Sequence, residues 1–360
     1  MRVLFIPDYS KGNPYQRELA AALGRLGIEV SMEKVAGRFP VLRAMKLHDY
    51  PDVLHIHWTH HLLFDRNRGR SIQSFRNFVG IFRLLLEFFI IKRKGTKLIW
   101  TVHNLFNHEK KYFWMELLFN KCFVRLCDRL IVHCDFAKDA VVKSYNLPKR
   151  LATKIEVIPH GHFVGIYKNE ITREEARQKL GLTEREFVFL SFGRIRAYKG
   201  ISHLLDIFRK MEGAHLRLLI AGAPSSDDVV QDITKSAESD KRIKVDARFI
   251  EEDEIQIYMN AADIVTLPYE DILTSGASYL AMSFGKPIIA PKMGCVKELL
   301  CEQGAILYDP SSEGALLEAM NSSLSADLVS MGEFNKAAVM GYDWNNIAYR
   351  LAEVYGLKPE

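Results

Sequence analysis

Short apolar runs alternate with helix-length amphipathic segments along almost the whole chain, and this alternation restricts the fold more than any other feature. In the first half the runs are RVLFIPDY, IEVSME, DVLHIHW, KLIWTVHN, RLIVHC and KIEVIPHG. Near residues 162–172 the pattern pauses at HFVGIYKNEIT. It then resumes with FVFLSFG, LRLLIAG, IKVDARF, DIVTLPY, PIIAP and AILYDP. Strands of this kind, separated by helices, form βαβ units in a parallel sheet covered on both faces. Two such sets in 360 residues predict two domains. The expected division is residues 1–165 and 166–342. The last segment, DWNNIAYRLAEVYG, has helical periodicity and no strand after it, so residues 343–360 are expected to pack back on the first domain.

Charge divides along the same line. Residues 1–160 hold 27 of the 49 Lys and Arg but only 14 of the 44 Asp and Glu, with nine of the twelve histidines. A basic domain joined to an acidic one suggests that the first meets an anionic surface. No apolar window is long enough to span a bilayer, and the N-terminus enters a strand directly, with no signal-peptide pattern. The five cysteines are irregularly spaced, which is no zinc pattern. His55 and His57 share one strand face and His60 and His61 follow, but no carboxylate or cysteine joins them at ligand spacing. No metal is expected. The first strand lacks the G-x-G-x-x-G that a nicotinamide enzyme would carry after it.

The stretch SFGRIRAYKG, residues 191–200, places chemistry on this frame. A buried strand stops at Gly193, and Arg194 and Lys199 then stand at its carboxyl end. In an open parallel sheet that edge binds ligands. A guanidinium beside an ammonium suits a diphosphate, because both are charge-assisted donors.

These residues stand in a longer ordered series: Gly12, TVHN at 101–104, VIPHG at 157–161, GR…KG at 193–200, IAGAP, NAADIVTLPY, AMSFGKPIIAP with Gly294 and Glu298, LYDP, and a terminal YDW with its helix. In that order and spacing the chain resembles glycosyltransferase family 4 (group 1), of the GT-B fold. The resemblance implies two Rossmann-like, doubly wound α/β domains facing across a cleft. The acceptor would lie on the first and a nucleotide-sugar donor on the second. It places Arg194, Lys199, Thr274, Ser275 and Gly276 at the donor diphosphate. Gly193, Arg248, Phe249, Ile250 and Glu270 would lie at the nucleotide, and Gly12 and Asn13 on the acceptor loop. No cofactor is implied, since the nucleotide sugar is a substrate.

One departure stands out. Family members that retain anomeric configuration usually carry two glutamates eight positions apart, and here those positions are Ile272 and Leu280. An inverting reaction would need a base on the acceptor side, for which His103, His108 and Glu109 are the candidates.

Residues 66–97 read as a basic amphipathic helix, with FVGIFRLLLEFFII ending at Lys92, Arg93 and Lys94. Such a segment fits an anionic membrane surface. Nucleic acid is not expected, as no nucleic-acid module accompanies the charge. The function so implied is transfer of a hexose from a GDP- or UDP-sugar to a lipid-linked or polysaccharide acceptor. The enzyme would be cytoplasmic and peripheral on the inner face of the plasma membrane. A sugar-nucleotide epimerase and a non-catalytic GT-B subunit are the alternatives.

Overall fold

The computed structural model describes residues 1–63, 70–107, 112–225 and 227–357. The chain forms two compact units, Met1–Gly161 with Asp343–Glu360, and His162–Tyr342. The first division thus falls a few residues ahead of position 165.

The first unit holds six parallel strands: β1 Arg2–Ile6, β2 Glu29–Met32, β3 Val53–Ile56, β4 Lys97–Thr101, β5 Arg129–Val132 and β6 Ile155–Val157. Their order is β2-β1-β3-β4-β5-β6. The second unit adds β7 Phe187–Phe192, β8 Leu216–Ala221, β9 Ile243–Asp246, β10 Ile264–Thr266, β11 Ile288–Pro291 and β12 Ala305–Tyr308. These are ordered β12-β11-β10-β7-β8-β9. Each sheet reverses its order beside its first strand. The carboxyl ends of the strands at that reversal are where doubly wound folds bind ligands.

Central strands are apolar on both faces because helices cover both. Leu4, Phe5 and Ile6 of β1, and Val188, Phe189 and Leu190 of β7, are all fully buried. In the second unit this yields two apolar clusters, one on each side of the sheet. The terminal helix Trp344–Tyr355 buries Trp344, Ile347, Leu351 and Tyr355 and packs on the helix Pro14–Arg25 of the first unit. Gly161 is required there. A side chain on it would start 2.2 Å from the Trp344 ring.

The second unit contains a polar anchor with no sequence signature. Arg177, on the helix Arg173–Leu180, is fully buried. It donates to the carbonyls of Ala261, Thr183, Glu184 and Glu186 and to the Asp263 carboxylate at 2.8 Å. Asp263 also accepts from Arg173 and from the Val188 backbone N–H. Both carboxylate oxygens are hydrogen-bonded, which is the condition for a buried ion pair to hold.

The helix Arg70–Arg93 has two apolar faces. Ile81, Leu84, Phe88 and Ile91 are buried, whereas Phe78, Phe82, Leu86 and Phe89 form an exposed stripe at helical spacing. Among the described residues no helix is long and apolar enough to cross a membrane. Part of the basic stretch, residues 64–69, lies outside the described residues.

Candidate functional site

In the second unit the cations of the 193–200 loop are placed by glycines. Gly193 takes φ +102° and Gly222 takes φ +148°. A side chain on Gly222 would start 2.2 Å from the Gly193 carbonyl, so the ends of β7 and β8 touch backbone to backbone. After Gly193 the chain runs beside the Ala223–Ser225 segment through Ile195 N–H to the Ala223 carbonyl, 2.8 Å. It then makes a 3₁₀ turn, Ala197–Lys199, closed by Gly200 at φ +68°. A side chain on Gly200 would start 2.0 Å from the Pro268 carbonyl. The Glu270 N–H donates to the Tyr198 carbonyl, 2.9 Å. The loops after β7, β8 and β10, three neighbouring strands, are thereby locked together.

Lys199 is the product of this packing. Its ammonium lies 3.0 Å from where a Gly193 side chain would begin. Burial first, then Arg196 and Arg194, push its pKa down from 10.5 to about 8. No ion pair or side-chain hydrogen bond engages Arg194 or Lys199 among the described residues. A group of cations that repel one another at a strand edge is a place made for an anion. Arg196 belongs to this group and was not singled out from the sequence. Its position inside GRIRAYKG was the available signal.

The other second-unit residues are arranged less uniformly. Ser275 caps the helix Gly276–Ser283; its Oγ accepts from the Ser278 N–H at 3.1 Å and lies 2.7 Å from the Tyr269 hydroxyl. Thr274 is half-buried, with its hydroxyl 3.8 Å from the Cys295 sulfur. Arg248 is bidentate on Glu254, 2.7 Å to each oxygen, and 3.1 Å from Asp246. Phe249 is exposed and Ile250 is buried in the apolar cluster. Glu270 is exposed. Ile272 and Leu280, at the two expected glutamate positions, are core residues of the same cluster. Neither can bind a sugar hydroxyl.

In the first unit the sheet order converts scattered histidines into a row. β3, β4, β5 and β6 are neighbours, and just past their carboxyl ends stand His57, His103, His133 and His160. His133 Nδ1 donates to the Ile158 carbonyl at 2.9 Å, and its Nε2 lies 3.2 Å from His103 Nδ1. His103 Nε2 lies 3.4 Å from His57 Nδ1. One layer below, His55 bridges the Tyr355 hydroxyl (2.6 Å) and the Thr101 hydroxyl (2.7 Å). Burial is the main cause that lowers the pKa of all five rings. It takes His55 and His160 to about 3 and His133 to about 4. They are neutral hydrogen-bonding groups; His57, His103 and His133 meet one another, His55 meets two hydroxyls, and His133 and His160 meet the Ile158 and Gly161 carbonyls. Among the described residues no group of three or more His, Cys, Asp or Glu is placed to hold a metal.

Tyr15 stands at the centre, edge-on to His57, His103 and His133. It is aimed by the loop before it. Gly12 turns at φ +76°, and Asn13 caps the helix by accepting from the Tyr15 N–H at 3.1 Å. Asn13 therefore acts here as a helix cap. Of the three acceptor-side base candidates, His103 is half-buried and stacked on Trp58 at 4.5 Å. His108 and Glu109 lie outside the described residues.

Comparison with known proteins now adds to this geometry. Residues 172–341, nearly the whole second unit, match the family described as glycosyl transferases group 1. A GDP-mannose:glycolipid 4-beta-D-mannosyltransferase of Xanthomonas campestris pv. campestris is 28% identical over 317 residues, covering 87% of this chain and 80% of that protein. The chain is a GT-B glycosyltransferase. This glycosyltransferase is also 24% identical to a lipopolysaccharide 1,2-N-acetylglucosaminetransferase of Salmonella typhimurium, over 79% of this chain and 72% of that one. Its fold matches the Anabaena HepE protein solved in complex with UDP-glucose, with a TM-score of 0.75 and 17% identity over 99% of both chains.

Proposed function

We propose that this glycosyltransferase moves a hexose from a GDP- or UDP-sugar to a lipid-linked or polysaccharide acceptor at an anionic membrane surface. The observation that carries the reading is the unneutralised pair Arg194 and Lys199, held by glycines at the β7 edge. A sugar nucleotide brings a diphosphate that becomes a leaving group. Cations fixed in advance where its charge develops stabilise the transition state without reorganisation. The N-terminal end of the helix Gly276–Ser283, with Thr274, supplies further donors to the same anion. Gly193, the backbone around Arg248, Phe249 and Ile250, and Glu270 would frame the nucleoside. The histidine edge with His103 would face the acceptor. The reaction needs no bound metal on this reading.

The acceptor class draws on two relatives whose names specify a glycolipid and a lipopolysaccharide. The stripe Phe78, Phe82, Leu86 and Phe89 supports it. Aromatic and aliphatic side chains exposed beside Arg93 and Lys94 fit the boundary between lipid headgroups and acyl chains.

Purified protein incubated with GDP-mannose or UDP-glucose and a bacterial membrane-lipid extract tests the reading. Release of GDP or UDP, with radiolabelled sugar moving into the lipid fraction, is expected. Release should fall at least 100-fold in Arg194→Ala and Lys199→Ala. If neither diphosphate is released, the transfer reading is wrong; label that stays water-soluble as an altered sugar nucleotide would mark an epimerase instead.

A further inference from the structure

On the reading just given, the acceptor hydroxyl loses a proton as the sugar is transferred, and the first unit must hold the group that takes it. The histidine row is not suited to that. Its direction is fixed at one end, because the Ile158 carbonyl can only accept and His133 Nδ1 must therefore carry the hydrogen. With all three rings neutral, His133 Nε2 accepts from His103 Nδ1, and His103 Nε2 accepts from His57 Nδ1. Both nitrogens of His103 are then in use. The row ends at His57 Nε2, a buried acceptor with no partner among the described residues.

His57 and His103 line a slot in the first unit with Trp58, Thr59, Asn104 and Glu116. It has room for about one water-sized group, the size of a single hydroxyl. Glu116, in the first turn of the helix Phe113–Leu126, is the carboxylate on that slot among the described residues and is 3% exposed. The Asn107 N–H donates to both its oxygens, at 2.9 Å each. One shared donor leaves a carboxylate most of its acceptor capacity.

We propose that Glu116 is the general base of the transfer. The attacking hydroxyl of the acceptor sits in the slot against the carboxylate. The acceptor O–H bond breaks and its proton goes to Glu116. The freed electron pair forms the new bond to the anomeric carbon. The bond from that carbon to the diphosphate oxygen breaks, and its pair leaves with the diphosphate. Burial supports the role by lifting the Glu116 pKa to about 7, where a base works best near neutral pH. Among the described residues the titratable groups around it are His57, His60 and His103 on the slot and Tyr145 behind, with no second carboxylate.

The test compares the wild type with Glu116→Gln and Glu116→Asp. GDP release from GDP-mannose and UDP release from UDP-glucose are followed with a short prenyl-diphosphate-linked glucose as acceptor probe. Glu116→Gln should lower kcat 100-fold or more with donor KM unchanged, and Glu116→Asp should recover part of the loss. The wild-type rate should rise through one ionisation near pH 7 that Glu116→Gln lacks. A folded Glu116→Gln protein, shown by its thermal unfolding, that keeps the wild-type kcat overturns the assignment and leaves Glu116 as an anchor of the Asn104–Asn107 loop. If the wild type releases neither diphosphate, the function proposed above fails first and the base assignment with it.

Discussion

The charge state of Lys199 should set the pH dependence of donor binding. With a pKa of about 8 in the empty site, about ten ammonium groups exist per neutral amine at pH 7 and about one per ten at pH 9. If a diphosphate binds only the ammonium form, affinity for GDP or UDP drops about tenfold over those two units, or about 1.4 kcal/mol. Titration calorimetry at constant ionic strength measures this. Binding at pH 8 should also take up protons, visible as a heat that varies with the ionisation enthalpy of the buffer. Lys199→Arg keeps the charge at every pH and should flatten the profile, and it controls for titration of the nucleotide base. Arg196→Gln removes the larger of the two charge effects on Lys199, so the midpoint should move to higher pH. Stability should respond with the opposite sign. The folded pKa lies below the unfolded value of 10.5, so between them the unfolded chain binds more protons, and the ligand-free protein gains stability as pH rises through that range. Affinity that is level from pH 7 to 9, or that falls equally in Lys199→Arg, refutes the reasoning.

Three further outcomes follow from the packing. Gly200→Ala should destabilise the protein by more than the roughly 1–3 kcal/mol of left-handed strain alone, because its side chain meets the Pro268 carbonyl. Gly165→Ala, at φ +77° with nothing within 4 Å, gives the strain term by itself, and urea unfolding of the pair isolates the contact. Arg177→Met takes from Asp263 one of its two arginines and leaves the carbonyls of Ala261, Thr183, Glu184 and Glu186 without this donor, and should cost about 3–5 kcal/mol, seen as a large fall in Tm. Phe82→Glu with Leu86→Glu should cut sedimentation with vesicles rich in anionic lipid several-fold while leaving Tm nearly unchanged.

All twelve strands among the described residues were legible in the sequence, because parallel strands covered on both faces are continuous apolar runs bounded by turns. Their order was not, since nothing local in β1 says that β2 and β3 lie on opposite sides of it. The histidine row shows what that omission costs. HIHW, TVHN, IVHC and IPHG each place a histidine just past a strand, yet only the adjacency of β3, β4, β5 and β6 makes them one array. Arg177 reads as one more charged residue in REEARQKL, and Glu116 as one acidic position in an apolar helix. Their roles come from long-range burial, which no periodicity reveals. Arg194 and Lys199 were legible as a pair because their spacing is local to one loop.

The terminal helix reverses the order in which the two units can finish folding during synthesis. The second unit is a continuous stretch, His162–Tyr342, and has all its residues once that stretch has emerged. The first unit begins earlier but lacks the helix that carries Trp344, which covers Gly161, and Tyr355, whose hydroxyl meets His55. At about 5–20 residues per second, the partner face of the helix Pro14–Arg25 stays bare for on the order of 10–40 s after β6 is made. A ribosome that stalls within the second unit therefore holds a first unit without its closing helix. A nascent-chain experiment with arrest points on either side of residue 355 would find the histidine edge assembled only beyond it.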